Sequence, residues 1–517
     1  MISSSNTRLG AFPLPDGSIQ HVIVVGSIAA LALVTAIAGL VLDNAAWAAA
    51  APLGLSIALF AAWLILRAAA GSKRAIAFYL ALIVFVTDAQ FRARGAGEIG
   101  ADWQNMMKFA LWAGAGVIGF ARMPPLGRAF GRLGPACCLA FIVAAIVSTI
   151  YSPAPGYTLG CALALLCFLA FAYALLDRLS EAEILWTIIA SLTAFLLIGW
   201  VVYYVNPALG TSQFWVNDII ELRMCGIAGQ ANNLAAACAK FLGALFLLWW
   251  SGRIRLLVLA PLTALGLITL AASEGRTAMV AVIAAVAVVI LARYLWLAVA
   301  AVLGGVGAIL AVTVLSLRVD AITDHLSRSG DPNEVFTLTG RLDIWDVVWT
   351  RIVEKPLLGW GYNASKVVLG QFEGFNYGLM VDTAHNMFLQ LLLSIGFVGT
   401  LPVIVVLLSL TWNVVVRPYP FRDFFLTIIL VTGISDAIAL GSTPTVMTLL
   451  FFIICILPPA RRRFEGRPAT LLAGAAGLST ISDRAPQPAL TAVGRGRGRR
   501  YPALSQPFGT SATRSFQ

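Results

Sequence analysis

Charged residues are scarce in this sequence. Asp, Glu, Lys and Arg make up 11% of the 517 residues, hydrophobic residues make up 60%, and the mean hydropathy is +0.88. This balance excludes an ordinary soluble globular protein. Apolar stretches of about 20 residues recur from His21 to Leu457, and each can cross the roughly 30 Å of membrane hydrocarbon as an α-helix. Runs of this length exclude a transmembrane β-barrel. The sequence therefore predicts an all-α polytopic integral membrane protein.

Metal-binding residue types are also few and scattered. The chain has three histidines, which lie far apart, and seven cysteines. Six of the cysteines lie in apolar segments without C-x-x-C spacing, where cysteine behaves as a small buried hydrophobe. Cys225 lies in a polar loop with no obvious partner. This pattern predicts no zinc or haem site, and we expect no cofactor.

Apolar runs separated by charged breaks indicate about 12–14 membrane helices and a large outer loop. Their approximate centres lie near residues 32, 56, 82, 113, 143, 167, 194, 239, 263, 284, 306, 398, 431 and 451. The predicted parts are helices 1–11 in residues 1–317 with an outer loop at 206–226, a long outer loop at 318–384, helices 12–14 in residues 385–457, and a basic tail at 458–517.

The distribution of basic residues orients these helices. With a cytoplasmic N-terminus, 23 of the 35 arginines and lysines fall in the N-terminal segment, the cytoplasmic loops or the tail. The positive-inside rule therefore places both termini in the cytoplasm and both large loops outside. The tail carries ten arginines and two acidic residues, and we expect a disordered segment that faces lipid headgroups. Its GRGRGRR run also suits nucleic acid, but no nucleic-acid partner is expected.

The loop at 318–384 contains a helical pattern. The spacing of apolar and polar residues in its segment TGRLDIWDVVWTRI (339–352) predicts an amphipathic helix that lies near a membrane surface. Thr339 is a suitable N-cap, and Pro356 ends the element. The predicted apolar face consists of Leu342, Trp345, Val348, Trp349 and Ile352, with Asp343, Asp346 and Arg351 turned away.

Arg341 stands at the start of this amphipathic helix. There its guanidinium and the free backbone N–H groups can converge on one anion, and phosphate suits arginine because it accepts two parallel hydrogen bonds. A surface ion pair with Asp343 or Asp346 is the structural alternative. Trp345, one turn later, is a further candidate for substrate binding.

Two more arginines lie at the outer ends of membrane helices. They are Arg276 in SEGRTAM (273–279) and Arg223 in RMCGIAGQANNLA (223–235). A charge beside hydrocarbon is costly unless it is paired or binds a ligand. Snorkelling explains a single such residue, but several on one side favour an anion site.

His385 directly precedes the apolar run MFLQLLLSIG (387–396). Imidazole accepts a proton near neutral pH, so His385 is a candidate general base. A capping or interfacial histidine is the alternative. Asn386 and Asn232 can donate hydrogen bonds to sugar hydroxyls, or they can satisfy backbone groups at helix ends.

Lys240 and Asp436 fall within predicted membrane spans, where ionisable groups are costly. An ion pair between the two residues is one interpretation. A role in binding lipid phosphate or in a proton path is the other.

Several catalytic motifs are missing. The sequence has no P-loop, no G-x-S-x-G, no H-E-x-x-H and no Asp-x-Asp pair that would hold a metal–nucleotide-sugar complex. A donor phosphate would then be bound by arginine without a metal. This points away from nucleotide sugars and toward a lipid-linked donor reached from the outer face.

Five motifs follow one another along the outer side of the protein. They are R-x-x-G…N-x-L-A (Arg223 to Ala235), S-x-G-R-T-A (Ser273 to Ala278), T-G-R-x-x-I-W (Thr339 to Trp345), P-L-L-G-W-G-Y (Pro356 to Tyr362) and H-N-x-x-L-x-x-L-x-x-x-G (His385 to Gly396). In order and location they resemble the bacterial O-antigen ligase/polymerase superfamily, which includes O-antigen ligases, O-antigen polymerases and exopolysaccharide polymerases.

The resemblance implies a metal-independent glycosyltransferase of the bacterial inner membrane with a periplasmic active site. In such enzymes an acceptor hydroxyl attacks the anomeric carbon of a lipid-linked sugar and expels undecaprenyl diphosphate. By motif, Arg223, Arg276 and Arg341 would stabilise the departing diphosphate, and His385 would orient or deprotonate the acceptor. The expected substrate contacts also include Asn232, Asn386, Trp345 and Lys240.

The segment FTLTGRLDIW (336–345) is more similar to exopolysaccharide polymerases than to lipopolysaccharide ligases, so we expect a polymerase. Its partners would be an undecaprenyl-diphosphate-linked oligosaccharide donor, a glycan acceptor, membrane lipids and polysaccharide export machinery. An O-antigen ligase that transfers glycan to the lipid A core is the alternative within the family. A flippase for lipid-linked glycans is the alternative from another class, but a flippase needs polar contacts that open to both sides.

Overall fold

The computed structural model describes residues 45–91, 102–216, 219–292, 341–370, 383–437 and 439–457. The chain divides into two units, Met1–Gly466 and Arg467–Gln517, and every described residue belongs to the first. The predicted spans near residues 32 and 306, the N-cap Thr339 and the basic tail lie outside the described residues.

The described chain is mostly α-helical. Its helices are α1 Ala45–Ala69, α2 Lys73–Asp88, α3 Trp103–Phe120, α4 Leu126–Ala129, α5 Leu133–Val147, α6 Pro155–Arg178, α7 Glu181–Val205, α8 Pro207–Gly210, α9 Ala231–Trp250, α10 Leu256–Ala272, α11 Arg276–Leu291, α12 Arg341–Glu354, α13 Ser365–Leu369, α14 Met387–Val416, α15 Pro420–Ser435 and α16 Val446–Ile456. Short 3-10 helices span Ser148–Ile150 and Gly226–Ala228.

Within the described residues, five helices are long and apolar enough to cross a membrane. They are Leu133–Ile150, which joins α5 to its 3-10 extension, and helices α6, α7, α9 and α14. Shorter apolar helices lie at Ser56–Ala69 within α1 and at α10, α11 and α16. Every predicted span centre that lies in the described residues falls inside a helix. The prediction of an all-α polytopic membrane protein is confirmed.

The loop predicted at 206–226 contains a β-hairpin. Strands β1 (Thr211–Val216) and β2 (Ile219–Met224) pair antiparallel, with Ser212 opposite Arg223. This hairpin was not predicted from the sequence, which indicated only an outer loop over these residues. It carries Arg223 toward the start of α9.

Several helices begin at capping residues. Ser72 accepts a hydrogen bond from the backbone N–H of Ala75 at the start of α2, and Asp102 accepts one from Asn105 at the start of α3. Ser180 and Glu183 form a reciprocal capping box at the start of α7. Such side chains satisfy N–H groups that have no partner within the helix, so they fix where each helix leaves its loop.

One end of the helix bundle gathers loops that the basic-residue count assigns to the cytoplasm. Arg122 donates from Nε to the carbonyl of Ala69 at 3.1 Å, which joins the loop after α3 to the loop after α1. Lys73 at the start of α2 pairs with Glu183 in the first turn of α7 at 2.6 Å. Both contacts join loops and helix starts at this one end of the bundle.

The opposite end gathers the loops at 89–91, 225–230, 273–275, 383–386 and 436–445, and we call it the site end. Gln90 donates its backbone N–H to the carbonyl of Ile227 at 2.6 Å. Ser435 donates to the hydroxyl of Thr277 at 3.0 Å. Residues from distant parts of the sequence meet at this end.

Candidate active site

Helix α14 is broken at Gly396, whose φ of 61° and ψ of −169° are not helical. The break separates the carbonyls of Leu393 and Ser394 from the N–H groups of Phe397 and Val398, which they would bind in a continuous helix. Buried backbone groups of this kind need other partners, above all in a membrane protein.

The P-L-L-G-W-G-Y loop supplies these partners. Leu393 and Ser394 accept hydrogen bonds from the backbone N–H groups of Trp360 and Gly361 at 2.9 and 2.8 Å. Phe397 and Val398 donate to the carbonyls of Pro356 and Leu357 at 2.9 and 3.1 Å. Four bonds to the loop thus replace the two that the helix lacks. The P-L-L-G-W-G-Y motif and Gly396, which ends the histidine motif, are therefore parts of one hydrogen-bonded unit.

Helix α12 packs on the first half of α14. Val348 and Ile352 are fully buried in a cluster that includes Val368, Leu369 and Leu393. The prediction of an amphipathic helix is therefore correct for Val348 and Ile352.

Trp349, also predicted on the apolar face of α12, is 52% exposed and lies outside this buried cluster. The buried stripe runs through Ile344, Val348 and Ile352 at four-residue spacing, with Val347 at its edge. Trp349 lies about 100° further around the helix than Val348, beyond this stripe. The side chains of Leu342 and Asp343 lie outside the described residues.

Trp345 contacts the segment that carries the candidate base. Its indole Nε1 donates to the carbonyl of Ala384 at 3.0 Å. Ala384 immediately precedes His385. Helix α12 begins at Arg341, one turn before Trp345, so the backbone at Arg341 lies on the same side of the helix as Trp345. The side chain of Arg341 lies outside the described residues.

His385 has a left-handed backbone conformation, with φ of 45°, and its side chain is 34% exposed. Its Nδ1 lies 3.9 Å from a carboxylate oxygen of Asp436. This separation exceeds a direct hydrogen bond but lies within the range of an ion pair. Catalytic contacts are often long before substrate binds, so the arrangement suits a base supported by an acid.

Asn386 caps helix α14. Its side-chain oxygen accepts hydrogen bonds from the N–H groups of Phe388 and Leu389 at 2.9 and 3.1 Å. Its amide donates to the carbonyl of Ile434 near the end of α15 at 3.0 Å. Of the two roles considered for Asn386, the structure shows the helix-end role.

Arg276 is the first residue of α11 and is half-buried. Its neighbour Thr277 accepts the hydrogen bond from Ser435, the residue before Asp436. A side chain at Gly275 would place its Cβ 2.2 Å from the Cβ of Ala235, so glycine is needed for α11 to approach α9. The S-x-G-R-T-A motif therefore brings Arg276 close to the His385–Asp436 pair.

Arg223 is 4% exposed and is held by the same turn. It donates from Nε and Nη2 to the carbonyl of Ser273 at 3.0 and 2.5 Å, and from Nη2 to Asn232 at 3.4 Å. The carboxylate oxygen Oε2 of Glu274 lies 3.9 Å from Nε of Arg223, and the backbone φ of Glu274 is 51°. Arg223 and Asn232 thus join the Arg276 turn, as the sequence suggested, and both make contacts within the protein.

Lys240 pairs with Asp88, and both side chains are buried. The predicted pair between Lys240 and Asp436 is wrong. Asp88 is the last residue of α2, and Lys240 lies about 13 Å along α9 from its first residue, Ala231. A buried ammonium needs a nearby carboxylate, and Asp88 provides it. Asp436, predicted inside a span, instead caps the end of α15 and faces His385.

Cys225 is buried beside the hairpin, and its Sγ donates to the carbonyl of Leu209 at 3.4 Å. Burial raises the pKa of its thiol to about 11, so the thiol is inert at neutral pH. Among the described residues, no group of three or more His, Cys, Asp or Glu side chains is arranged to hold a metal ion.

Sequence reasoning did not identify two members of this site. Asp436 drew attention as an ionisable residue in an apolar region, but its partner lies 51 residues earlier and only folding brings them together. Gln390 lies inside an apolar run, and a polar residue at such a position was the signal available for it.

The sequence model of the O-antigen ligase family matches residues 261–404. The match extends from within α10 to the second half of α14 and includes Arg276, Arg341 and His385. The match confirms the resemblance to the O-antigen ligase/polymerase superfamily for this part of the chain. Arg223, Asn232 and Asp436 lie outside the matched residues. No curated protein matches the chain.

Proposed function

We propose that this protein is an inner-membrane glycosyltransferase whose active site is the site end, facing the periplasm. It transfers glycan from a lipid-diphosphate donor to a hydroxyl acceptor. The observation that carries this proposal is the His385–Asp436 pair beside the start of α11 at Arg276. A base and a cation at one end of the bundle suit a reaction that removes a proton and releases an anion. The family match supports lipid-linked glycan and acceptor substrates in general.

The acceptor hydroxyl gives its proton to His385. The acceptor oxygen attacks the anomeric carbon of the donor sugar and forms a new glycosidic bond. The bond from that carbon to the diphosphate oxygen breaks. Nδ1 of His385 faces Asp436, so Nε2 is the nitrogen that receives the proton. The Asp436 carboxylate stabilises the imidazolium that forms, which is the role of the acid in histidine-based catalysis generally.

The leaving diphosphate keeps the electron pair of the broken bond. Its negative charge grows as the reaction proceeds, and groups that stabilise developing charge lower the barrier. Arg276 at the start of α11 and Arg341 at the start of α12 serve this purpose, since helix N-termini add their own positive potential. Arg223 is engaged with the Ser273 carbonyl, so it holds the Arg276 turn and adds charge nearby.

We favour a polymerase, in which the acceptor is a second lipid-linked glycan. The basis is the sequence around Arg341, which is more similar to exopolysaccharide polymerases. The product would be a surface polysaccharide delivered to export machinery.

Reconstitution tests this function. The purified full-length chain is placed in liposomes with lipid-linked oligosaccharide, with and without lipid A core. A ladder of lengthened glycans without added core supports a polymerase. A single transfer that requires the core identifies a ligase. Movement of the lipid-linked glycan across the bilayer with no new glycosidic bond would refute transfer and identify a flippase.

A further inference from the structure

Ala384, the residue before His385, is held on both of its backbone polar groups. Its carbonyl accepts the indole N–H of Trp345 at 3.0 Å. Its N–H donates to the side-chain oxygen of Gln390 at 2.8 Å. Ala384 and Gln390 are both fully buried, so water does not compete for these bonds. Two side chains from separate helices therefore fix the peptide that leads into His385.

The amide of Gln390 extends the same contact to two other elements. Its Nε2 donates to the hydroxyl of Ser365 at 2.9 Å and to the carbonyl of Gly441 at 3.2 Å. Gly441 belongs to the segment after Asp436, and a Cβ there would lie 2.9 Å from Cγ of Gln390. One buried side chain thus links the His385 segment to the segment that carries Asp436.

His385 needs this support because of its backbone. A non-glycine residue at φ of 45° is in the left-handed region, which costs about 1–2 kcal/mol. Such a conformation persists when the surrounding structure fixes it, and it is concentrated at functional sites. Gln390 and Trp345 provide that constraint directly before the strained residue.

We propose that Gln390 is a positioning residue for glycan transfer, which holds His385 in register with Asp436 through the backbone of Ala384. The inference rests on the proposed role of His385 as the base. Gln390 touches neither substrate nor the reacting atoms in this proposal. Its effect on the reaction passes entirely through His385.

This dependence gives a test that a general loss of stability does not imitate. Transfer rates are measured with reconstituted protein for wild type, Gln390→Leu, His385→Ala and the double variant. A displacement of about 1 Å in a catalytic group can cost about 100-fold in rate. We therefore expect Gln390→Leu to lower kcat by about 10-fold to 100-fold with KM for the donor little changed. In the His385→Ala background, the same substitution should change kcat less than about twofold, because nothing remains to position.

Two further variants keep the test independent of folding. Trp345→Phe keeps an aromatic ring, although a smaller one, and removes the indole N–H, so it should show the same dependence on His385 with a smaller loss. Gln390→Glu keeps an acceptor for Ala384 and should restore part of the rate lost in Gln390→Leu. Each variant is first shown to be monodisperse by size-exclusion chromatography in detergent.

Gln104→Leu is the matched control. Gln104, in the first turn of α3, is also fully buried. Its side-chain oxygen accepts a hydrogen bond from the backbone N–H of Phe91 at 2.8 Å. Any loss it causes should be equal in both backgrounds. If Gln390→Leu lowers kcat equally with and without His385, the positioning role is refuted while the proposed function stands. If His385→Ala is as active as wild type, the base and the positioning role both fail.

Discussion

The Asp436 carboxylate lies 3.9 Å from Nδ1 of His385, and the two residues come from the loops that end α15 and begin α14. The same two ends are joined by the hydrogen bond from Asn386 to the carbonyl of Ile434. The pair is therefore held by the packing of the start of α14 against the end of α15.

Removing the imidazole should slow the reaction without preventing donor binding. General base catalysis contributes about 10²-fold to 10⁴-fold, so His385→Ala is expected to lose rate in that range. Asp436→Asn should lose less, about fivefold, because a partly exposed pair contributes at most about 1 kcal/mol. Initial rates and binding of labelled donor check both changes. Asp346→Asn, at an exposed position on α12, is the control. Donor binding that falls in parallel with the rate would make His385 a donor ligand.

Arginine substitutions should abolish transfer and spare membrane insertion. Arg276→Ala and Arg341→Ala each remove a charge from the start of a helix at the site end. We expect a loss of about 10²-fold or more, as for other groups that stabilise developing charge. Polymer yield and membrane content of protein are measured together. Arg351→Ala is the matched control, since this arginine lies on α12 and pairs with Glu354 at 3.0 Å. Near-normal polymer from both site variants would remove the diphosphate role.

The Lys240–Asp88 pair should stabilise the fold, with no contact to the reacting groups. Lys240→Met leaves a buried carboxylate without its partner, which costs about 3–5 kcal/mol in comparable buried pairs. The thermal midpoint in detergent should fall markedly. The double variant Lys240→Met/Asp88→Leu should recover most of that midpoint and retain transfer. A recovered midpoint without activity would assign Lys240 to substrate binding instead.

Glycine at position 396 should be essential for folding of the site. Its φ and ψ are accessible to glycine almost alone, and an alanine Cβ would lie 2.3 Å from the backbone of Leu357. Gly396→Ala is therefore expected to lower the thermal midpoint and the yield of folded protein. Gly156→Ala, where a Cβ meets nothing within 4 Å, is the control and should be neutral. Equal stability of the two variants would contradict the role of the break.

The sequence was sufficient to predict the helices, because membrane helices depend on local patterns. Apolar run length predicts membrane helices directly, and motif order brought Arg276, Arg341 and His385 into one hypothesis. The apolar pattern of α12 includes Trp349, which does not pack on α14, since periodicity gives a stripe but not how much of it the neighbouring helix covers.

The pairing of charges could not be predicted in the same way. Lys240 and Asp436 were both visible as costly residues, but the choice between Asp88 and Asp436 depends on which helices pack together. The break at Gly396 was likewise hidden, because a glycine in an apolar run is also compatible with a continuous helix. Only the hydrogen bonds between the P-L-L-G-W-G-Y loop and the two sides of Gly396 distinguish a broken helix from a continuous one.

The break in α14 divides its length unequally. The residues from Phe397 to Val416 extend about 30 Å as a helix, which equals the thickness of membrane hydrocarbon. The residues from Met387 to Ile395 add only about 13 Å and are not needed for the crossing. In the proposed function, that length holds His385 above the point where the chain enters the hydrocarbon. The diphosphate of the proposed donor lies among the lipid headgroups, so the short half of the helix would act as a spacer between the membrane boundary and the proposed chemistry.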